Sequence, residues 1–224
     1  MTWLQTGSGR AVDLLNPKPE DIDFRVDVPE ALARVARFTG HVRSGPYSVA
    51  QHCALGADAI LRQTHRPEAA LAFLLHDAKE AYVGDMSQPF KQALARTAND
   101  PCGNGHFKIN IIENGNDLGP VHGAAFIHHI LRRIETGFDR AIHAAAGLSW
   151  PLPPDLQAIV KGYDIRMLAT ERRFLLGPSP RLWAEEIERA ELIRVRGKFT
   201  VWPWPQAADE FRARLADLCP RLLN

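Results

Sequence analysis

The feature that most constrains the fold is an unbroken apolar run that ends in polar and charged side chains. Pro67 precedes the run Ala69–Leu75, in which no residue is polar. Proline favours the first turn of a helix, and a helix that is apolar on every side must be buried on every side. The sequence therefore predicts a central helix from Pro67 to about Val83, with Gly84 as its stop.

Helical periodicity predicts further helices around this one. Ser48 can cap a helix over 49–63, and others are expected over about 29–38, 88–96, 121–146, 154–176, 180–191 and 206–218. Residues 1–27 are expected to form an irregular arm with a short strand or hairpin, and 199–205 an extended segment with one short strand. The predicted fold class is all-α, a helical bundle with minor β structure.

One segment differs in composition from the rest. Residues 98–119 combine turn formers with the β-prone stretch FKINII, which predicts either a small hairpin or a mobile lid. We expect a single domain over 1–224, with this excursion and a C-terminal helical extension from about residue 178.

Charge and cysteine content exclude several classes of protein. The 27 Lys and Arg residues nearly balance 26 Asp and Glu, so a nucleic-acid partner is not expected. The 3 cysteines have no CxxC spacing, which argues against a disulfide framework and a thiolate zinc site.

We expect a cytoplasmic protein with no signal peptide and no membrane partner. A homodimer is compatible with a helical domain of this size.

The chemistry is concentrated just after the apolar run. On a continuous helix, His76 and Glu80 lie four positions apart and Asp77 and Glu80 three apart, so the side chains converge. Uncompensated charge is costly at the end of a buried helix, and a divalent cation would compensate it. Imidazole with carboxylates suits Mn, Fe, Co, Ni or Zn better than Mg or Ca. A satisfied core histidine beside two solvated acids is the alternative interpretation.

Two distant residues favour the metal. His52 lies on the preceding helix, and antiparallel packing would bring it to His76. Asp164 interrupts the apolar stripe of the helix over 154–176, where an aspartate needs a partner. A salt bridge to an arginine would account for Asp164 alone. A metal bound by His52, His76, Asp77 and Asp164 accounts for all four residues.

The pattern H…HD…D resembles the ligand pattern of the HD-domain superfamily of metal-dependent phosphohydrolases. HDAKEAYVGDMSQPFK, residues 76–91, is similar to the matching stretch of bacterial HD-domain 5′-deoxynucleotidases. RFTGHVRSGPYSVAQH, residues 37–52, resembles their segment leading to the first metal histidine. NPKPEDI followed by RFTGH looks like a group of small bacterial and phage HD phosphohydrolases. The similarity covers roughly 30–95 and 120–175 and is strongest over 74–91.

The resemblance implies a compact helical bundle around one divalent transition metal (Mn, Co, Ni, Fe or Zn). The implied ligands are His52, His76, Asp77 and Asp164. Glu80 and Asp85 would flank the attacking water and the leaving group. A residue that orients or deprotonates the water must lie within reach of it. Glu80 meets this condition because it lies one helical turn beyond His76.

Four residues are candidates for contacts with the substrate. Arg37 offers a planar fork for phosphate oxygens and Lys91 a point charge, although each is equally typical of a solvated helix surface. His41 could contact phosphate or a second metal, but a loop histidine is the commoner role. Phe38 could stack on a nucleobase or pack in the core. Surface positions are expected for most of four further histidines, His106, His122, His128 and His129. Trp202 and Trp204 are expected to form a hydrophobic clasp.

The expected activity is hydrolysis of a (deoxy)nucleoside 5′-monophosphate to nucleoside and phosphate. A dNTP triphosphohydrolase or a cyclic-nucleotide phosphodiesterase is an alternative of the same class. A catalytically silent nucleotide-binding regulatory module is an alternative of another class. A two-iron HD oxygenase would need further histidines after the HD pair, where Glu80 stands instead. The excursion at 98–119 and the short segment between His52 and His76 depart from the nucleotidases and leave the substrate open.

Overall fold

The computed structural model describes residues 2–100, 108–113, 116–195 and 198–223. These residues are predominantly helical, as the hydrophobic periodicity predicts. The helices are α1 (Asp27–Arg34), α2 (Val49–Thr64), α3 (Pro67–Leu75), α4 (Glu80–Val83), α5 (Gln88–Asn99), α6 (Gly123–Ala146), α7 (Pro154–Leu175), α8 (Glu185–Glu188) and α9 (Trp204–Leu218). The strands form two antiparallel pairs, β1 (Trp3–Gln5) with β2 (Ala11–Asp13) and β3 (Lys108–Glu113) with β4 (Asn116–His122).

The chain divides into two compact units. The larger unit contains Met1–Asp85 and Phe138–Asn224, and the smaller contains Met86–Gly137. The single domain expected over 1–224 stays a prediction. No helix among the described residues is both long enough and apolar enough to cross a membrane.

The core of the larger unit is built on α3. Every residue of Ala69–Leu75 is buried, as the apolar run predicts, and α2 and α9 pack against this helix. Contact with α2 is close at Gly56, where an added Cβ would lie 2.0 Å from the ring of Phe73. Glycine at this position therefore allows α2 to approach α3.

The helix expected over 29–38 is shorter and earlier in the structure. Asp27 begins it and accepts hydrogen bonds from the N and Oγ of Ser8, at 2.8 and 2.7 Å, which tie the N-terminal hairpin to α1. Helix α1 stops at Arg34 because Ala36 forms a β-bridge with Ser48. A 3-10 turn follows over Arg37–Gly40.

The central helix ends at Leu75, so the prediction that it continues to Val83 was wrong. Residues 76–79 form a turn before α4. The carbonyl of Phe73 accepts from both the backbone N and the Nδ1 of His76, at 3.3 and 2.6 Å. In a continuing α-helix, the carbonyl of Phe73 would accept from the backbone N of Asp77, four residues later. Side-chain competition for the backbone thus breaks the helix where the polar residues begin.

The C-terminal part is less regular than expected. The helix predicted over 180–191 is reduced to the single turn α8, and the described part of 199–205 forms no strand. That segment is held instead by the side-chain amide of Gln51, which donates to Thr200 O at 2.7 Å and accepts from Trp202 N at 2.8 Å. Trp204 begins α9 and carries the guanidinium of Arg34 at 3.7 Å from its ring centroid.

The smaller unit contains α5, the β3–β4 hairpin and the first part of α6. The hairpin occupies the segment where the sequence predicts a hairpin or a lid. Ser87 stands at the N-cap of α5, as predicted, but its side chain makes no capping hydrogen bond. Asn99 Oδ1 accepts from Ala124 N at 2.8 Å and so caps the start of α6.

Candidate metal centre

Three elements of the larger unit bring four potential ligands together. Helix α2 supplies His52, the turn after α3 supplies His76 and Asp77, and α7 supplies Asp164. His52 Nε2 lies 3.4 Å from Asp164 Oδ1, and His76 Nε2 lies 3.2 Å from Asp77 Oδ2. The two cross distances, His52 to Asp77 and His76 to Asp164, are both 3.9 Å. Ligands about 2.1 Å from one ion in a tetrahedron stand roughly 3.4 Å apart, which is similar.

The two imidazoles fit a cation. Nδ1 of His52 contacts Glu171 Oε1 and Nδ1 of His76 contacts Phe73 O, each at 2.6 Å. A backbone carbonyl only accepts, so Nδ1 of His76 carries a proton. Both Nε2 atoms are buried and have no hydrogen-bond partner among the described residues. They face carboxylates, an arrangement that needs a positive charge between the groups.

The electrostatics of the rings agree with that need. Burial opposes charging of His52, yet the acids Glu171 and Asp164 raise its pKa. Burial likewise opposes charging of His76, and Asp77 and Asp164 raise its pKa well above the usual value. The cluster therefore attracts positive charge, which protons or a metal ion can supply.

The two aspartates differ in exposure. The side chain of Asp77 is 16% exposed and that of Asp164 is 42% exposed. Asp164 therefore lies at the edge of the cluster, less enclosed than its apolar stripe predicts. Its ion-pair partners among the described residues are the two histidines, and no arginine pairs with it there. Desolvation opposes ionisation of Asp164, but the nearby rings of His52 and His76 hold its pKa well below the usual range.

Cys53 also reaches the cluster, which sequence reasoning missed. Donor atoms of His52, His76 and Asp164 lie within 4.8 Å of one another, and so do those of Cys53, His76 and Asp77. These histidine, aspartate and cysteine side chains are thus within range to hold a metal ion. Burial raises the pKa of the Cys53 thiol, which favours its neutral form.

Arg37 lies beside the cluster and is not a solvated helix-end residue. Its side chain is 12% exposed, with Nη1 at 3.3 Å from Asp77 Oδ2 and Nε at 3.3 Å from Glu171 Oε2. Glu171 is fully buried and also accepts from Tyr47 Oη at 2.9 Å. Burial opposes ionisation of Glu171, but Arg37 and His52 lower its pKa. The sequence carried one signal for it, since Glu171 lies seven positions after Asp164 on the same helix face.

Glu80 and Asp85 belong to the same unit as the cluster. Glu80 begins α4, and its Oε2 is buried without a hydrogen-bond partner among the described residues. Burial, together with the charges of Asp77 and Asp85, raises the pKa of Glu80 to about 9. A dication bound to Asp77 would oppose this shift because it favours the carboxylate form. Asp85 is half-buried and directly follows Gly84.

Among the remaining candidates, Phe38 and His41 lie in the same unit as the cluster, and no described contact joins either of them to its four ligands. Phe38 has a φ of 56° and packs against the buried group of Val42, Tyr47 and Leu175, which favours its core role. His41 is exposed at the end of the 3-10 turn. Lys91 lies in the smaller unit and pairs with Glu135 at 2.8 Å. His122, His128 and His129 are exposed, as predicted. His106 lies outside the described residues.

Relatives of the chain occur in bacteria. No family model matches the chain. An uncharacterized protein of Rhodobacter capsulatus is 40% identical over 97 residues, which cover 42% of this chain and 49% of that relative. The match therefore spans about half the length of the Rhodobacter protein. The uncharacterized protein YfdR of Escherichia coli is 29% identical over 197 residues, covering 87% of this chain and 85% of YfdR.

Proposed function

We propose that the protein is a metal-dependent phosphohydrolase of the HD type that converts a (deoxy)nucleoside 5′-monophosphate to nucleoside and phosphate. The observation that carries the proposal is the pair of buried, unpartnered Nε2 atoms of His52 and His76. They face Asp77 and Asp164 and form a two-nitrogen, two-oxygen donor set. This donor set suits one Mn, Co, Ni, Fe or Zn ion. The resemblance of residues 76–91 to HD nucleotidases supports phosphoester hydrolysis.

Glu80 and Asp85 perform the proton transfers in this proposal. A bound metal would supply a Lewis acid and acidify a water molecule toward neutral pH. Glu80 orients the attacking water and accepts its proton, while the water oxygen forms a bond to phosphorus. The ester P–O bond breaks, and Asp85 in its protonated form donates a proton to the departing oxygen. The unpartnered Oε2 of Glu80 supports the first of these roles.

Arg37 is the candidate phosphate contact with structural support. Its Nε and Nη1 bind carboxylates, which fixes the plane of the guanidinium next to Asp77. Nη2 has no hydrogen bond to the described residues and is assigned to a phosphate oxygen. Contacts of His41, Phe38 and Lys91 with the substrate stay predictions.

The test is a screen of metal-loaded protein with identification of the products. Protein stripped by a chelator is reloaded with Mn, Co, Ni, Fe or Zn and given nucleoside 5′-monophosphates, dNTPs and cyclic nucleotides. Orthophosphate from a monophosphate is the expected product, whereas triphosphate from a dNTP or opening of a cyclic nucleotide identifies the alternatives. Tight binding of nucleotides without turnover by any loaded form would identify a silent regulatory module.

Variants of the ligands test the centre itself. His76→Ala and Asp77→Ala each remove one donor atom, and we expect loss of metal and at least 100-fold loss of activity. Asp155→Ala is the matched control, because Asp155 is an exposed aspartate of α7 that pairs with Arg66. Retention of both metal and activity in His76→Ala or Asp77→Ala would overturn the proposal.

A further inference from the structure

We infer that Glu171 is a positioning residue that fixes the ring orientation and proton of His52 and so preorganises the metal centre. The inference rests on the proposed metal site, since Glu171 acts on the metal through His52. Glu171 lies on α7, the helix that also supplies Asp164. One helix therefore carries both a candidate ligand and the group that orients another.

Three side chains donate to the buried carboxylate of Glu171. Its Oε1 accepts from His52 Nδ1 at 2.6 Å and from Tyr47 Oη at 2.9 Å. Its Oε2 accepts from Arg37 Nε at 3.3 Å. A fully buried carboxylate is stable only with such partners, and here all three donors come from the stretch 37–52.

The contact with His52 decides which ring nitrogen can bind a metal. A carboxylate paired with an arginine accepts hydrogen bonds, so His52 must carry its proton on Nδ1. Nε2 is then left as a lone-pair donor, 3.4 Å from Asp164 Oδ1. A proton on Nε2 instead would block metal binding. The hydrogen bond to a carboxylate also makes the imidazole a stronger donor, as is common for metal-binding histidines.

The two histidines are therefore held by different partners. Nδ1 of His76 donates to a backbone carbonyl, that of Phe73, which no side-chain substitution removes. Nδ1 of His52 depends on the side chain of Glu171. Arg37 extends the same support to a second ligand, because it joins Glu171 to Asp77. Removal of the Glu171 carboxylate would therefore disturb His52 directly and Asp77 indirectly, through Arg37.

The experiment compares three variants of the full chain. Glu171→Met removes the acceptor at similar side-chain volume, and Glu171→Gln restores an acceptor without charge. Tyr47→Phe is the matched control, because it removes another hydrogen bond to the same oxygen and leaves His52 Nδ1 in place. Each metal-free protein is titrated with Co²⁺ and Zn²⁺ by calorimetry, and the visible spectrum of the Co²⁺ form and the melting temperature of the metal-free form are recorded.

We expect Glu171→Met to bind Co²⁺ and Zn²⁺ about 10- to 100-fold more weakly, with an altered Co²⁺ spectrum. Glu171→Gln is expected between Met and wild type, and Tyr47→Phe at wild-type affinity with a lower melting temperature. Equal affinity of Glu171→Met and wild type would overturn the inference. The inference would also be overturned if the loss of metal affinity paralleled the loss of melting temperature in all three variants. That result would show that Glu171 only stabilises the fold.

A second measurement needs no variant and covers the case in which Glu171→Met does not fold. In zinc-loaded wild type, nitrogen NMR of His52 is expected to show the proton on Nδ1, and a proton on Nε2 would overturn the inference. Wild type that binds neither metal contradicts both the inference and the proposed function. Wild type that binds metal but hydrolyses no nucleotide contradicts the proposed function alone, because affinity and the NMR signal still decide the role of Glu171.

Discussion

At the scale of single residues, Glu80 is the group whose environment is hardest to explain without a ligand. One of its carboxylate oxygens is buried and makes no hydrogen bond to the described residues. A buried polar atom left unpaired is destabilising, typically by about 1–3 kcal/mol. Water held against the cluster would satisfy it, and such a water is what a hydrolase must position.

Glu80→Gln tests this role, because the amide keeps the size of the side chain and can no longer accept a full proton. We expect kcat to fall roughly 100- to 10,000-fold, the usual contribution of a general base, while the affinity for metal is unchanged. Steady-state kinetics and metal titration on the same preparation measure the two quantities. Glu68→Gln, at an exposed glutamate of α3 that pairs with Arg66, is the control and should leave both unchanged.

An unchanged kcat in Glu80→Gln would show that another group handles the water. A loss of metal in the same variant would instead make Glu80 part of the metal site. The two outcomes separate a proton-transfer role from a ligand role.

The residues of the cluster were predictable to different degrees. His76, Asp77 and Glu80 stand next to an apolar run, and Asp164 interrupts a stripe, so local spacing identified them. Glu171 contacts His52 and Tyr47 across sequence separations of 119 and 124 residues. Local spacing places Glu171 on the helix face of Asp164 but does not encode these contacts, because they depend on how α7 packs against the chain around His52. The approach of Cys53 to His76 and Asp77 also depends on this packing.

At the scale of elements, the spacing between α2 and α3 controls the site. Gly56 and His52 lie one helical turn apart on α2 and face α3 together. The His52 ring lies 5.5 Å from that of Phe73 and 5.3 Å from that of His76, between centroids. A side chain at Gly56 would collide with Phe73 and push the two helices apart.

A pair of glycine substitutions tests this spacing. Gly56→Ala is expected to destabilise the protein by about 1–3 kcal/mol through overpacking, and to weaken metal binding. Gly162→Ala on α7 is the matched control, because nothing lies within 4 Å of its added Cβ. The control should stabilise the protein by roughly 0.5–1 kcal/mol, since alanine is the better helix former. Denaturant unfolding of the metal-free proteins measures both effects, and stabilisation by Gly56→Ala would contradict the close approach.

Hydrophobic periodicity identified the long helices but not their interruptions. The break after Arg34 depends on a β-bridge between Ala36 and Ser48, and the break after Leu75 on the hydrogen bonds of His76 to a carbonyl. Both interactions use the backbone, which apolar spacing does not report. The helix expected over 180–191 begins at Pro180 and follows Pro178, but the structure forms only the turn Glu185–Glu188. Each proline lacks a backbone N–H, so this segment has fewer donors for helical hydrogen bonds.

At the scale of the whole molecule, the candidate centre connects segments that are far apart in the sequence. Helix α2, the turn after α3 and helix α7 all contribute to it, and they belong to both sequence segments of the larger unit. The unfolded chain does not hold these donors together. An ion that binds the centre therefore binds the folded state preferentially, and its binding free energy adds to the stability of the fold.

Stability that depends on the metal is the prediction at this scale. At a free metal concentration of 100 times Kd, binding to the folded state alone adds about 2.7 kcal/mol to the free energy of unfolding. For a chain of this length that corresponds to a rise in melting temperature of roughly 5–10 °C, which a chelator should reverse. Scanning calorimetry with Mn²⁺, Co²⁺ or Zn²⁺ measures the shift.

Asp164→Asn removes one carboxylate charge from the centre, and the metal-dependent shift should become much smaller. Asp155→Asn, on the same helix but 59% exposed and paired with Arg66, should keep the full shift. An equal shift in the two variants would mean that the metal binds elsewhere on the fold. A shift in neither the variants nor the wild type would mean that protons alone neutralise the cluster, and that the paired histidines and aspartates are a structural ion-pair network.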